Sequence, residues 1–240
     1  MSSDGKEIFV SADWLEARLD STEIAILDVR AGFRPQPPGP SDFFSMRQQY
    51  EEGHIPNSHY LHMVDDLSKP DGAFPFEALS PPDLHRLLGE MGVSNSQTLV
   101  IYGGEMHAVT HRCWWVLRYA GAQDVRILNC AYDSWVKQRR PSSQKVPDIP
   151  PTRFQATPLP RWLASRDDVY AAITDPNIGL INALTREQFE GEGQHYGRPG
   201  RIPGSISVPF TAIIDPESVS YTHLRAHETV LDLVCRLLLE

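Results

Sequence analysis

Apolar residues along this chain fall into short, largely apolar runs separated by stretches of helical spacing. Ile24 to Val29, Thr98 to Tyr102, Val125 to Leu128 and Ile178 to Ile181 are the runs. Continuous apolar segments of this length predict parallel strands covered on both faces. Between them, Ser80-Pro81-Pro82-Asp83 predicts a helix start, with an N-cap, a proline at the first helical position and an acid in the first turn. Leu84, Leu87, Leu88 and Met91 follow at i, i+3, i+4 and i+7, and Gly92 predicts the stop. Further helices are expected after Ser11, from the 103–108 loop to Ala120 with Gly121 as terminator, over Tyr132 to Lys137, and after the capping box Ser165 to Asp168. Strand and helix alternate, so the expected class is α/β with parallel sheets.

One segment occurs twice. Tyr50-Glu-Glu-Gly53-His54-Ile55-Pro56-Asn57-Ser58 returns as Gly197-Arg-Pro-Gly200-Arg201-Ile202-Pro203-Gly204-Ser205, and each copy follows an apolar run. The offset of 147 residues from Ile55 to Ile202 predicts a duplicated domain. In the turn itself Gly53 is expected to use a positive φ, while Pro56 holds Ile55 extended. Proline punctuates the rest. Pro35, Pro37, Pro38 and Pro40 mark residues 31–49 as an irregular insertion, and six prolines between Arg140 and Pro160 predict a stiff interdomain linker.

Composition narrows the function. A net charge of −9 disfavours nucleic acid and anionic lipid as partners. The three cysteines have no paired spacing, which argues against a disulfide framework or a metal knuckle and for a reducing compartment. The N-terminus lacks the apolar core of a signal segment, so the cytoplasm is the expected location.

Candidate chemistry collects where the predicted strands end. Asp28 and Arg30 close the first run, as ligand-handling groups or as an ion pair that fixes the loop. Gly103-Gly104-Glu105-Met106-His107 lies between a strand and a helix, where backbone N–H groups can converge on an anion or a thiolate. His107 with His111, or His59 with His62, could begin a metal site, but neither pair has a defined third ligand and both are read as surface residues.

Together, Asp28-Val-Arg30, Gly53-His-Ile-Pro56-Asn-Ser58, the helix Trp114-Trp115 to Gly121, Tyr132-Asp-Ser-Trp135, and Gly197 to Ser205 with Val208-Pro-Phe210 resemble the tandem rhodanese-domain sulfurtransferases, which act on thiosulfate or 3-mercaptopyruvate. The resemblance spans residues 8 to about 219. It implies two doubly wound parallel-sheet domains in tandem, the second incomplete here. It also implies a mechanism without metal or other cofactor. A cysteine thiolate in a strand-loop-helix cradle takes sulfane sulfur from a small-molecule donor and passes it to cyanide or a thiol acceptor.

Against that pattern the first domain is expected to be non-catalytic, because its cradle equivalent, Gly103, Gly104 and Glu105, holds no cysteine and a carboxylate there repels an anionic donor. Cys113 and Cys130 are read as structural. Cys235 maps by the repeat offset onto Leu88 in a covering helix, so it is only a weak nucleophile candidate. After the second run, Asn182-Ala183-Leu184 replaces the family's Asp-Ala-Arg, and Gln188 stands where some members place an arginine. Arg186 and Arg201 are left as candidate substrate-side cations. Residues 220–240 resemble a translated adapter sequence. The expected organisation is therefore domain 1 over 1–140, a linker over 141–160, a partial domain 2 over 161–219 and a non-native tail. The expected function is that of a sulfurtransferase lineage whose chain here is inactive, with a non-catalytic rhodanese-fold binding module as the alternative.

Overall fold

A computed structural model describes residues 7–34, 42–192 and 198–212. Its described residues divide into two compact units, the first taking 7–32 and 43–159 and the second 33, 34, 42 and those from 160 onward. The 220–240 tail and Cys235 lie outside the described residues.

In the first unit, β1 (Phe9–Val10), β2 (Ile24–Asp28), β5 (Ser58–Tyr60), β6 (Thr98–Tyr102) and β7 (Val125–Leu128) form a five-stranded sheet in the order β1-β7-β6-β2-β5, with every pair parallel. β2 is buried at all five positions, its four apolar residues as their run requires and the terminal Asp28 with them. The helices are α1 (Ala12–Glu16), α2 (Arg47–Glu52), α3 (Pro81–Glu90), α4 (His107–Tyr119) and α5 (Tyr132–Lys137). Their punctuation agrees with the sequence. Ser11 and Ser80 accept from the N–H groups of Trp14 and Asp83, and Gly92 and Gly121 take φ of 77° and 97° just beyond α3 and α4.

Three expectations need correction. The 31–49 insertion is not irregular throughout, because β3 (Ala31–Arg34) and β4 (Asp42–Ser45) pair and α2 begins at Arg47. Proline excludes regular structure only where it sits, and the flanks carry Phe33, Phe43 and Phe44, with the ring of Phe44 packed over Gly32 where a Cβ would clash. The left-handed residue of the repeated turn is not Gly53, whose φ of 175° is extended, but Asn57 at 62°. Gly53 is needed for space, since a Cβ there would lie 2.9 Å from the Tyr132 hydroxyl. Finally, the proline-rich segment is extended but not a free spacer, and the first unit runs to Leu159 rather than ending near 140. Ser143 exchanges two backbone hydrogen bonds with His54, Thr152 N–H donates to Gly89 O, and Leu159 N–H donates to Tyr119 O. Phe154 is buried against the His85 ring. Proline cannot donate to a sheet, but the residues between the prolines can, and they tie this strap down.

The described part of the second unit contains α6 (Arg166–Ala172), β8 (Ile181–Asn182), α7 (Arg186–Glu190) and β9 (Ile206–Ser207). It repeats the first in detail. Asp28 pairs with Tyr60 and Asn182 with Ser207, and the N–H groups of Leu61 and Val208 donate to Asp28 O and Asn182 O, both at 2.9 Å. Ile55 packs in the first core and Ile202 against the second, and Gly204 at φ 80° stands where Asn57 stands. The duplication is thus present in register and turn shape.

Because Asn57 holds a left-handed conformation, Asn57→Gly is expected to cost about 1 kcal/mol less than Asn57→Ala, both losing the hydrogen bond from the side-chain amide to Leu19 O. Urea unfolding of the two variants reads the difference.

Candidate functional site

At the C-terminal edge of the first sheet, β2 ends in Asp28, which is fully buried, and the chain brings Arg30 back onto it. Arg30 Nε donates to both carboxylate oxygens at 3.1 and 2.9 Å, and its backbone N–H donates to Oδ1 at 3.0 Å. The same guanidinium donates to Gly53 O at 2.8 Å and lies 3.9 Å above the Tyr132 ring. Burial works to lower the Arg30 pKa, but the hydrogen bonds and charge of Asp28 outweigh it and leave it raised. From β6, the Tyr102 hydroxyl donates to Asp28 Oδ2 at 2.7 Å. Burial first, and then the Asp28 charge, hold that phenol far above its ordinary pKa, so it stays a donor. With its only proton given to Asp28, Tyr102 Oη must accept from Ser58 Oγ at 3.0 Å and from Ile55 N–H at 3.1 Å. The repeated turn is therefore bolted to the strand ends through one carboxylate.

The candidate loop follows Tyr102. Gly103 is buried, Gly104 half-buried and Glu105 exposed. Gly103 O accepts from Tyr132 N–H at 2.9 Å, and α4 starts at His107 without a side-chain cap. A Cβ on Gly103 would lie 2.2 Å from Thr110 Oγ1. Thr110 is 1% exposed and its hydroxyl has no hydrogen-bond partner. The first side-chain position of the loop is thus filled from the helix side, and Gly103 admits no substituent without displacing that hydroxyl.

The described cysteines are poor nucleophiles. Cys113 is wholly buried within α4 and burial pushes its thiol up to about 12, while burial also raises the thiol of Cys130. Neither is in a disulfide. Among the described residues no group of three or more histidine, cysteine or acidic side chains could hold a metal ion, and the two histidine pairs do not assemble one. His59 and His107 have their pKa lowered, by burial first in each case.

In the second unit the candidate cations are engaged locally. Arg186 Nε donates to Glu190 at 2.6 Å within α7, and Arg201 donates to Phe189 O at 3.3 Å with its guanidinium 4.5 Å above the Phe189 ring. Asn182 Oδ1 accepts from Leu184 N–H at 3.0 Å, the same turn that Asp28 makes with Arg30 N–H. Replacing Asp by Asn and Arg by Leu removes both charges and keeps the turn. Gln188 serves in the capping box of Thr185. Sequence reasoning missed Tyr102, Ser58, Tyr132 and Thr110. The polar ends of the apolar run at Tyr102 and of the Ser58 strand could have signalled the first two, whereas nothing in the spacing reports that Thr110 faces Gly103.

Residues 11–138 match the rhodanese-like domain. The chain belongs to the rhodanese-like family. It is 27% identical over 234 residues to the sulfur carrier protein TtuD of Thermus thermophilus, covering 92% of this chain and 76% of that one. It is 28% identical over 209 residues to the 3-mercaptopyruvate sulfurtransferase of Escherichia coli K12, covering 86% and 72%. A solved structure of the rhodanese-fold 3-mercaptopyruvate enzyme of E. coli superposes with a TM-score of 0.74 at 27% identity, over 88% of this chain and 78% of that one. The resemblance to tandem rhodanese sulfurtransferases, and the α/β parallel-sheet class it implied, therefore hold.

Asp28→Asn should cost about 3–5 kcal/mol by leaving Arg30 buried with a charge but no counter-charge. The pair Asp28→Asn with Arg30→Leu, which copies the second unit, should recover most of that loss in chemical denaturation. Gly103→Ala should cost about 1–3 kcal/mol, and Thr110→Ala should rescue it, because the added Cβ would then face Thr110 Cβ at 3.6 Å. Thr110→Ser, which keeps the hydroxyl, should not, and a thermal-melt double-mutant cycle tells the two apart.

Proposed function

We propose that this chain is of a sulfurtransferase lineage that moves sulfane sulfur from thiosulfate or 3-mercaptopyruvate to cyanide or a thiol. In that chemistry a cysteine thiolate attacks the outer sulfur of thiosulfate and the S–S bond breaks. Sulfite leaves with the electron pair, and the acceptor then takes the persulfide sulfur and releases the thiolate. The observation that carries the reading is the kinship with sulfur-handling relatives at 27–28% identity over at least 86% of this chain.

For the first unit we propose a structural part, with no nucleophile. Supporting this, the loop position that would present a side chain is glycine, and Thr110 occupies the space. Cys113 and Cys130 are held in the protonated form by burial, which leaves little thiolate to attack sulfur. Arg186 and Arg201 are our proposed substrate-side cations, each of which would exchange a local partner for a donor's oxygens. Two unpaired cysteines are in keeping with a reducing, cytoplasmic setting. Among the described residues no helix is long and apolar enough to cross a membrane.

We propose that this chain does not turn over thiosulfate and cyanide, because neither described thiol can act. Thiocyanate formation should stay at background for this chain and for its Cys113→Ser, Cys130→Ser double variant. Turnover above background that is lost in Cys235→Ser would overturn the inactive reading and make that residue the nucleophile.

A further inference from the structure

A cavity of about 320 Å³ opens in the first unit at the outer edge of β5, away from the 103–106 loop, between α2, the end of α3 and the strap at 146–149. Its size is that of a small-ligand site. Both signs of charge face it. Arg47 has no carboxylate partner among the described residues, its guanidinium lying 5.0 Å from the Tyr60 ring centroid, and Asp148 on the strap has no cationic partner among them. Two opposite charges on one cavity that do not neutralise each other leave both free for a ligand carrying both.

His59 also lines the cavity, although its Nε2 is enclosed by the protein and has no hydrogen-bond partner. Burial lowers the pKa of this ring, so it is neutral at pH 7 and adds no charge to the cavity. Asp66 shares that lining and already accepts the His62 N–H at 2.7 Å. The rim is apolar. Leu87 and Met91 come from the end of α3, and Val146 and Ile149 are 51% and 43% exposed. An apolar group seated there would cover side chains now left in water.

We propose that this cavity is a binding site for a small zwitterion, an α-amino acid with an apolar side chain. Its carboxylate meets Arg47, its ammonium meets Asp148, and its side chain lies on Leu87, Met91, Val146 and Ile149. Polyanions do not fit, since Asp66, Glu90 and Asp148 oppose a single guanidinium. A metal ion does not fit either, because no cluster of three donors forms among the described residues.

The test is calorimetry or ligand-observed NMR on the full chain with L-leucine as probe, beside isoamylamine, which lacks the carboxylate, and 4-methylpentanoate, which lacks the ammonium. Saturable L-leucine binding is expected, with each half-analogue at least about tenfold weaker. Arg47→Ala and Asp148→Asn should each weaken L-leucine about tenfold. Both side chains are exposed, so unchanged melting midpoints should certify the fold of the variants. Absence of saturable binding, a half-analogue that binds as well as L-leucine, or binding indifferent to both substitutions would overturn the proposal.

Discussion

The buried Asp28–Arg30 pair is the constraint on which the first unit's functional edge depends. A carboxylate with no exposure is tolerable only when its lone pairs are satisfied, and here a guanidinium, a backbone N–H and a phenol all donate to it. The carboxylate at the end of β2 is thereby held by two other pieces of chain: Arg30 just after the strand, through its guanidinium and its own N–H, and Tyr102 at the end of β6. Through Arg30 the pair reaches Gly53 O, and through Tyr102 it reaches Ser58 and Ile55. The turn that feeds β5 therefore has one position relative to β2 and β6. The 103–106 loop, which begins one residue after Tyr102, inherits that position.

The second unit shows which parts of this arrangement are backbone and which are electrostatic. Strand register, the hydrogen bond from Val208 to Asn182, and a left-handed third residue in the turn all recur. The charges do not. Asn182 forms the same local turn as Asp28 with nothing to neutralise, and Leu184 stands where a guanidinium would. A buried acid and its buried base are costly singly and removable together, so the exchange preserves the turn while discarding the network.

Much of this was legible in the residues. Apolar runs gave the inner strands of the first sheet, serine caps and terminal glycines gave the helices, and the Ile-Pro-x-Ser repeat gave the duplication, because each is a local backbone requirement written in local residue types; of the run from Ile178 only Ile181 joins a strand, and Ile178 is half exposed. The strap was only half legible. Its prolines announce extension, but what it bonds to depends on Gly89, His54 and Tyr119, which are far away in sequence. The left-handed residue was assigned to Gly53 because glycine is the usual solution, whereas Asn57 and Gly204 share the position and only the pair of them reveals it. The filling of Gly103 by Thr110 was not legible at all, being a contact between a loop residue and a residue of α4 seven positions later, with no pattern of their own.

That contact also ties two positions together. With the Thr110 hydroxyl where a Cβ on Gly103 would lie, a side chain at 103 is accommodated only beside a smaller residue at 110. Tolerance at one position is therefore conditional on the other, and single substitutions alone would make Gly103 look more restricted than its own backbone conformation makes it.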